Sequence, residues 1–375
     1  MRTLRALKIF ALTFLLVSRF SAAEPLRVGI VGLVHGHVEG FLQGGALTPA
    51  GGILSRSDVR LVGIVEPDEK LFNSYAARFH LNQSLHFRSI QDMAAKAHPE
   101  AVLVFTATND HRRVVEEAAA LGLHVMMEKP LAFTYADALV IQATAEQAHI
   151  HVLVNFETSW YPSNAEAFRL LQQGALGPIV KAVIRDGHQG PKLIHVPPEF
   201  LAWLLDPKLN GDGALTDFGC YGPDLLTALL DGEAPRAVTA VTKRLQPELY
   251  PGVDDEAEIV LDYPKAVAII QASWNWPFSL KQTDVYGRTG YAKALDANQI
   301  EVRRANDSGP QLSRATAISA PYDDPLHYLE AVLSGEVSEG NSLSSLKTNV
   351  TVTEILDAAA QSARSGRTVS LPLQK

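Results

Sequence analysis

The chain has 375 residues, more than one ordinary domain holds and enough for two. Hydrophobic residues make up 47% and charged residues 20%, the balance of a globular protein with a sizeable core. A formal charge of −8, with no Lys/Arg run interleaved with aromatics, argues against a nucleic-acid partner; a single cysteine, Cys220, excludes an internal disulfide framework and a cysteine-based metal cluster.

At the N-terminus Arg2, Arg5 and Lys8 precede an apolar run over residues 9–17, and Ser21-Ala22-Ala23 then supplies small residues. This order reads as a secretory signal cleaved after Ala23, and predicts an exported, periplasmic protein. The run is too short for a stable membrane span, although Arg19 leaves an uncleaved anchor as the alternative.

Residues 27–31 form an apolar strand ending in Gly32, and residues 59–65 a second ending in Glu66-Pro67-Asp68. A loop rich in Gly, Ser and Pro fills 44–58. A helix is expected over 69–79, with Leu71, Tyr75 and Phe79 on one face. Strands at 101–105, 124–127 and 151–155 alternate with helices at 111–121 and 134–148, the first closed by Gly122. Continuous apolar strands alternating with helices predict an α/β doubly wound parallel sheet, of the Rossmann kind, over 24–152. Ligands in such sheets bind beyond the carboxyl ends of the strands. The candidate positions are therefore Gly32, Val34, His35, Gly36 and His37 after the first strand, Glu66 after the second, Thr106, Asn109 and His111 after the third, and Glu128 and Lys129 after the fourth.

The turn after the first strand is an incomplete dinucleotide fingerprint, with Val34 and His37 where further glycines are expected. An ordinary tight turn into a helix is the alternative. Glu66 suits the ribose hydroxyls of NAD and would repel the extra phosphate of NADP, so NAD is expected over NADP; a solvated loop carboxylate is the plainer reading. His35 and His37 have metal-ligand chemistry but no third ligand at recognisable spacing, and no metal is expected.

Residues 101–132 read AVLVFTATNDHRRVVEEAAALGLHVMMEKPLA. This stretch resembles, nearly end to end, the strand–helix–strand signature of the Gfo/Idh/MocA oxidoreductase family, with Ala107 in place of its usual proline and with His111, Glu128, Lys129 and Pro130 fitting. The resemblance implies that Lys129 lies beside the nicotinamide and substrate, and that Pro130 often follows a cis bond. It extends through Tyr161-Pro162, a helix over 164–174 and Gly177-Pro178, and then short β-rich runs at 180–185, 237–243, 257–262, 266–274 and 283–286. A late helix at 346–363 and a closing strand at 368–373 follow. These predict a second α+β domain over 153–375 with a mainly antiparallel open sheet. In the family such a sheet shapes the substrate pocket and supports oligomers, which implies a homo-oligomer.

Residues 211–224 read GDGALTDFGCYGPD, similar to the family's glycine-rich turn followed by Asp, Gly and His or Tyr. The tyrosine version resembles glucose–fructose oxidoreductase and dihydrodiol dehydrogenases. Asp217 and Tyr221, four apart, would share one face of a helix. Oxidising an alcohol requires a group that takes the hydroxyl proton. Tyr221 is the expected acid/base, Lys129 the cation that favours its phenolate, and Asp217 a hydroxyl-binding carboxylate; the roles of Lys129 and Tyr221 could be exchanged. An N-cap for Asp217 and a core tyrosine for Tyr221 are the structural alternatives. Glu157, Trp160, His188 and Asn275 are further candidates for a carbohydrate substrate. The implied activity is NAD(P)-dependent transfer of hydride to or from a hydroxyl carbon of a sugar, cyclitol or sugar derivative. A glycosidase or lyase using transient oxidation, and a noncatalytic sugar-binding relative, are the alternatives.

Overall fold

The computed structural model describes residues 24–374, so the expected signal segment lies outside the described residues. The first half alternates β1 (Leu26–Val31), α1 (Val38–Gln43), β2 (Val59–Val65), α2 (Glu69–Phe79), β3 (His86–Phe87), α3 (Ile90–Ala97), β4 (Ala101–Val104), α4 (His111–Ala120), β5 (His124–Glu128), α5 (Tyr135–Ala148) and β6 (Val152–Asn155). The six strands pair in parallel in the order β3-β2-β1-β4-β5-β6. Both faces of this sheet are covered, which is why β4 and β6 are buried at every position. Capping fixes the helix starts. Asp68 accepts from the amides of Lys70 and Leu71, and Thr134 accepts from Asp137 N while donating to its carboxylate. Caps of this kind each contribute about 1 kcal/mol.

The second half runs α6 (Pro162–Gln172), β7 (Ile179–Gly187), α7 (Pro198–Leu204), α8 (Pro207–Asn210), α9 (Ala214–Asp217), α10 (Tyr221–Leu229), then β8 (Ala237–Lys243), β9 (Glu256–Asp262), β10 (Val267–Ser273), β11 (Leu280–Gly287), β12 (Gly290–Ala294), β13 (Gln299–Arg304) and β14 (Gln311–Arg314). It closes with α11 (Pro325–Leu333), α12 (Leu346–Ser365) and β15 (Val369–Ser370). Nine strands form an open sheet in the order β14-β13-β12-β11-β7-β10-β9-β8-β15. Only β7 and β10 pair in parallel; the remaining pairs are antiparallel.

The two units are not cut cleanly in sequence. β6 completes the first sheet through Asn155, past the expected boundary at 152. Later, α11 returns to the first unit, where Leu326, Tyr328, Leu329 and Val332 pack with β1, α1 and α2 on one face of the sheet. The other face, under α3, α4 and α5, is continuous with the core of the second unit. A buried ion pair holds the return: Arg56 Nη1 lies 2.6 Å from Asp324 Oδ1, and the same carboxylate caps α11 by accepting from Leu326 N. No helix among the described residues is long and apolar enough to cross a membrane.

Candidate active site

Two adjoining concavities lie where the units meet. The first, of about 610 Å³, opens at the carboxyl ends of β1, β2 and β4 and is lined by Gly32, Val34, Glu66 and Thr106, with Arg88 and Arg113 at its wall and Trp203 of α7 opposite. Gly32 has φ +83°, and a Cβ there would stand 2.9 Å from the Phe105 carbonyl and 2.7 Å from Thr106 Cγ2. Only glycine fits where this turn packs against the end of β4. Glu66, 4% exposed, accepts from Leu33 N and Asp68 N, both at 2.9 Å, so it braces the turn while facing the cleft. Burial raises its pKa despite those two amides. Trp203 donates to the Val34 carbonyl, tying the second unit over the turn.

The second cavity, of about 500 Å³, is lined by Gly36, His37 and Lys129 from the first unit and by Glu157, Tyr161, His188, Asp217, Phe218, Tyr221 and Lys281, with Ile194, Leu280 and Leu295 supplying apolar wall. Lys129 follows β5 directly, and the Lys129–Pro130 bond is cis, as the resemblance implies. Its Nζ lies 2.5 Å from Asp217 Oδ1 and donates to the Asp217 carbonyl at 2.8 Å. Trp274 Nε1 donates to Asp217 Oδ2 at 2.9 Å. Burial opposes both charges, yet each partner outweighs it: the lysine pKa is raised and the Asp217 pKa lowered. The pair is ionised. A second pair joins Lys281 to Glu157, which also accepts from the Tyr161 hydroxyl.

The expected continuous helix through Asp217 and Tyr221 is broken. Asp217 ends α9, residues 218–220 turn, and Tyr221 opens α10. Pro223 explains this: it has no N–H to bond the Gly219 carbonyl, and so sits in a first turn. Both side chains nevertheless line the cavity. Asp217 is not the N-cap of this segment, because Asp254 takes the amides of Gly213 and Leu215.

The expected lowering of the Tyr221 pKa by Lys129 is also corrected. Burial, then Glu157, Cys220, Asp217 and Glu128, hold its pKa well above the ordinary value. Lys129 Nζ stands over the ring, 5.4 Å from its centroid, and Lys281 Nζ stands 5.2 Å from the same centroid. The cations meet the aromatic face rather than the hydroxyl oxygen.

Several candidates fall elsewhere. Trp160 is 5% exposed, donates to Asn155 Oδ1 and packs beside Tyr328, and is a core residue. Asn275 braces the β8–β9 connection through Asp255 and Glu256. Asn109 is exposed on a single 3₁₀ turn. His111 is buried and its Nδ1 bonds the Pro130 carbonyl, holding the turn behind Lys129. His188 does line the cavity; its Nδ1 accepts from Gly190 N, and burial lowers its pKa. Glu128 lies beneath the cavity, bonded to His37 Nδ1 and Asn155 Nδ2. It supplies the third ligand type that spacing did not offer, since His35, His37 and Glu128 have donor atoms within 4.8 Å of one another.

Lys281, Tyr161, Phe218 and the buried Asp186 were not marked by the sequence. Lys281 enters on an ordinary β-strand, and no local pattern singles it out. Asp186 stands two residues before the marked His188, and Tyr161 was read only as the start of the crossing segment.

Residues 26–156 match the oxidoreductase family with an NAD-binding Rossmann fold, and residues 164–293 match the GFO/IDH/MocA C-terminal domain. A trans-1,2-dihydrobenzene-1,2-diol dehydrogenase of Xenopus tropicalis is 28% identical over 206 residues, 55% of this chain and 58% of that protein. A D-xylose 1-dehydrogenase [NADP(+)] of Haloarcula marismortui is 26% identical over 196 residues, 52% of this chain and 53% of the relative. The chain thus matches little more than half the length of these curated relatives. The crystal structure of an aldose-aldose oxidoreductase from Caulobacter crescentus, complexed with glycerol, superposes with a TM-score of 0.77 at 22% identity, covering 92% of this chain and 100% of that one; that likeness is one of fold.

Proposed function

The chain belongs to the GFO/IDH/MocA family of NAD-binding oxidoreductases, and we propose that it interconverts a hydroxyl and a carbonyl on a neutral sugar or cyclitol at the cavity beside Lys129. The carrying observation is the buried Lys129–Asp217 pair set next to Tyr221 where that cavity adjoins the dinucleotide cleft. The cleft fits a dinucleotide, since it opens beyond the carboxyl ends of β1, β2 and β4, where Gly32 lets the turn close against Phe105 and Thr106 and Glu66 faces the opening. Gly32, Val34, Glu66 and Thr106 would hold it, and Glu66 favours NAD over NADP; the wall cations Arg88 and Arg113 pair with Glu69 and with Asp110 and Glu117. When bound, the nicotinamide accepts or supplies the hydride.

The residues divide the remaining work. Asp217 fixes the Lys129 ammonium by two contacts, so its donors are preorganised toward a substrate oxygen. The Tyr221 phenol is a second donor. Together they orient the reacting oxygen and, during reduction, give it a proton. The cavity's charges balance in pairs, Lys129 with Asp217 and Lys281 with Glu157. Among the described residues, neither lysine lining the cavity is left without a carboxylate, which favours an uncharged polyol. Export of the chain, proposed from residues 1–23, would require the nucleotide to be held tightly and recycled between two substrates.

The test has two parts. Protein purified without added cofactor is denatured and the released small molecules are identified by mass spectrometry; NAD(H) is expected. The loaded protein is then assayed with D-glucose, D-xylose, myo-inositol and trans-cyclohexane-1,2-diol. Lys129→Met and Tyr221→Phe should each lower kcat/KM about 10²- to 10⁴-fold. An empty protein with no thermal shift from NAD or NADP, inert to all four, refutes the reading and favours the noncatalytic sugar binder.

A further inference from the structure

A second ion pair lines the substrate cavity, and the chemistry at Lys129 and Tyr221 does not use it. Lys281 reaches in from β11 and Glu157 from the turn after β6. Both oxygens of Glu157 are engaged, Oε2 by the Lys281 ammonium and Oε1 by the Tyr161 hydroxyl. The carboxylate is thereby fixed in one orientation, and the ammonium with it. This is the more open of the two pairs. Lys281 and Glu157 keep 19% and 16% of their side-chain surface accessible, against 6% and 9% for Lys129 and Asp217.

The donor inventory differs in the same direction. An ammonium has three N–H donors and no acceptor. Lys129 commits two of them to the carboxylate and carbonyl of Asp217. Among the described residues, Lys281 commits one, to Glu157. Asp186 stands opposite it in the β7–β11 register, yet its Oδ2 is buried without a partner, so Lys281 is not drawn back onto the sheet. Two of its donors are left for whatever fills the cavity. A substrate with no oxygen at that place would leave them unmet, which costs affinity.

The two ammonium groups stand over one aromatic ring. Lys129 Nζ lies 5.4 Å and Lys281 Nζ 5.2 Å from the centroid of Tyr221, so they are no farther apart than those two distances laid end to end. A six-membered ring with hydroxyls on two carbons can bridge that gap, with one hydrogen bond at each end. Its C–H face would lie on the apolar wall of Ile194, Leu280 and Leu295.

We propose that Lys281, held by Glu157, determines specificity by binding a second, non-reacting hydroxyl, so that the protein takes cyclic diols and polyols and discriminates against ring alcohols with a single hydroxyl. This deepens the oxidoreductase reading above and rests on it. Lys129 and Tyr221 handle the hydroxyl that is oxidised, and Lys281 fixes which carbon of the ring is presented to them. The competing role is a structural cross-tie between β11 and the turn after β6 that never meets substrate.

Cyclohexanol and trans-cyclohexane-1,2-diol differ by the one hydroxyl in question. Wild type should favour the diol by about 10- to 10²-fold in kcat/KM, the effect of a hydrogen bond to a charged group. In Lys281→Met that preference should shrink to within about three-fold, with most of the diol's loss in KM. Because this variant strands Glu157, Lys281→Met/Glu157→Leu is made as well, and should show the same collapse with a thermal melt confirming that it folds. Calorimetric titration with myo-inositol needs no turnover, and Kd should rise about 10- to 10²-fold in both variants. Equal use of cyclohexanol and the diol by wild type overturns the proposal. So do a diol preference and an inositol affinity that survive in both variants while only Tm falls, which leaves the cross-tie. A wild-type protein empty of nucleotide and inert to every polyol sinks the oxidoreductase reading instead. The inositol titration then decides for Lys281 by itself: binding weakened by Lys281→Met supports the hydroxyl site, and binding absent from wild type or unchanged in the variant refutes it.

Discussion

Asp186 offers a sharp test of the cavity's electrostatics. It sits on β7 directly across the sheet from Lys281, is 1% exposed, and its Oδ2 has no hydrogen-bond partner. Burial pushes its pKa from an ordinary 3.8 up to about 8, with Lys281 only partly opposing. In the unfolded chain the same carboxyl ionises near 3.9. Between these values the folded state binds the extra proton, so stability falls as pH rises from about 4 to about 8 and is flat beyond. At about 1.36 kcal/mol per pH unit the full excursion is roughly 5 kcal/mol, and the span from pH 5 to 7 roughly 3 kcal/mol. Asp186→Asn keeps the shape and cannot ionise, so the variant lacks this slope. A chain of ~350 residues unfolds with an entropy of about 0.7 kcal/mol/K, so the Tm difference between variant and wild type should grow by about 4 °C between pH 5 and 7, in favour of the variant. Scanning fluorimetry at half-unit pH steps measures it. Parallel Tm curves would mean that Asp186 is ionised throughout, and the argument for an evenly balanced, neutral cavity would fail with it.

Removing one member of the buried ion pair with Asp217→Ala should cost about 3–5 kcal/mol, and much less in the Lys129→Met background; a double-mutant cycle in urea separates the two. Because the Asp217 pKa is lowered, its contribution is present above the unfolded value near 3.9 and disappears as pH falls through the folded one. Gly32→Ala should weaken nucleotide binding by at least tenfold in a calorimetric titration, since the Cβ meets the Phe105 carbonyl at 2.9 Å; unchanged affinity would remove Gly32 from the cradle. Asp324→Ala should loosen α11 from the first unit by about 1–3 kcal/mol, since it removes the cap on Leu326 N and one of the two carboxylates on Arg56 while Asp58 keeps the other, visible as faster amide exchange over residues 325–333 with the second sheet unaffected.

The first sheet was legible because its strands are buried on both faces and its helices carry capping side chains such as Asp68 and Thr134. The β8–β9–β10 meander was legible for a related reason: alternating burial and the turn at 263–266 mark it locally. What escaped depended on distant pairing. α11 has no local sign that it belongs to the first unit; Arg56, some 270 residues earlier, supplies it. Helical spacing placed Asp217 and Tyr221 on one helix, and the missing N–H of Pro223 decided otherwise. Lys281 was unreadable for the same kind of reason, because its partner Glu157 lies 124 residues earlier.

The incomplete glycine fingerprint follows from the same logic. Steric need is concentrated at Gly32, where both φ and a carbonyl forbid a side chain. At Gly36 a Cβ would meet the edge of Phe200 at 3.2 Å and Pro197 Cδ at an ordinary 3.5 Å, side chains rather than backbone. Position 37 begins the approach to α1 and is tolerant of bulk, provided a polar side chain there finds a partner. Glu128, delivered by β5 beneath it, is that partner. The residue that makes the motif look damaged is thus one the fold accommodates, and it places an imidazole at the wall of the cavity beside Lys129.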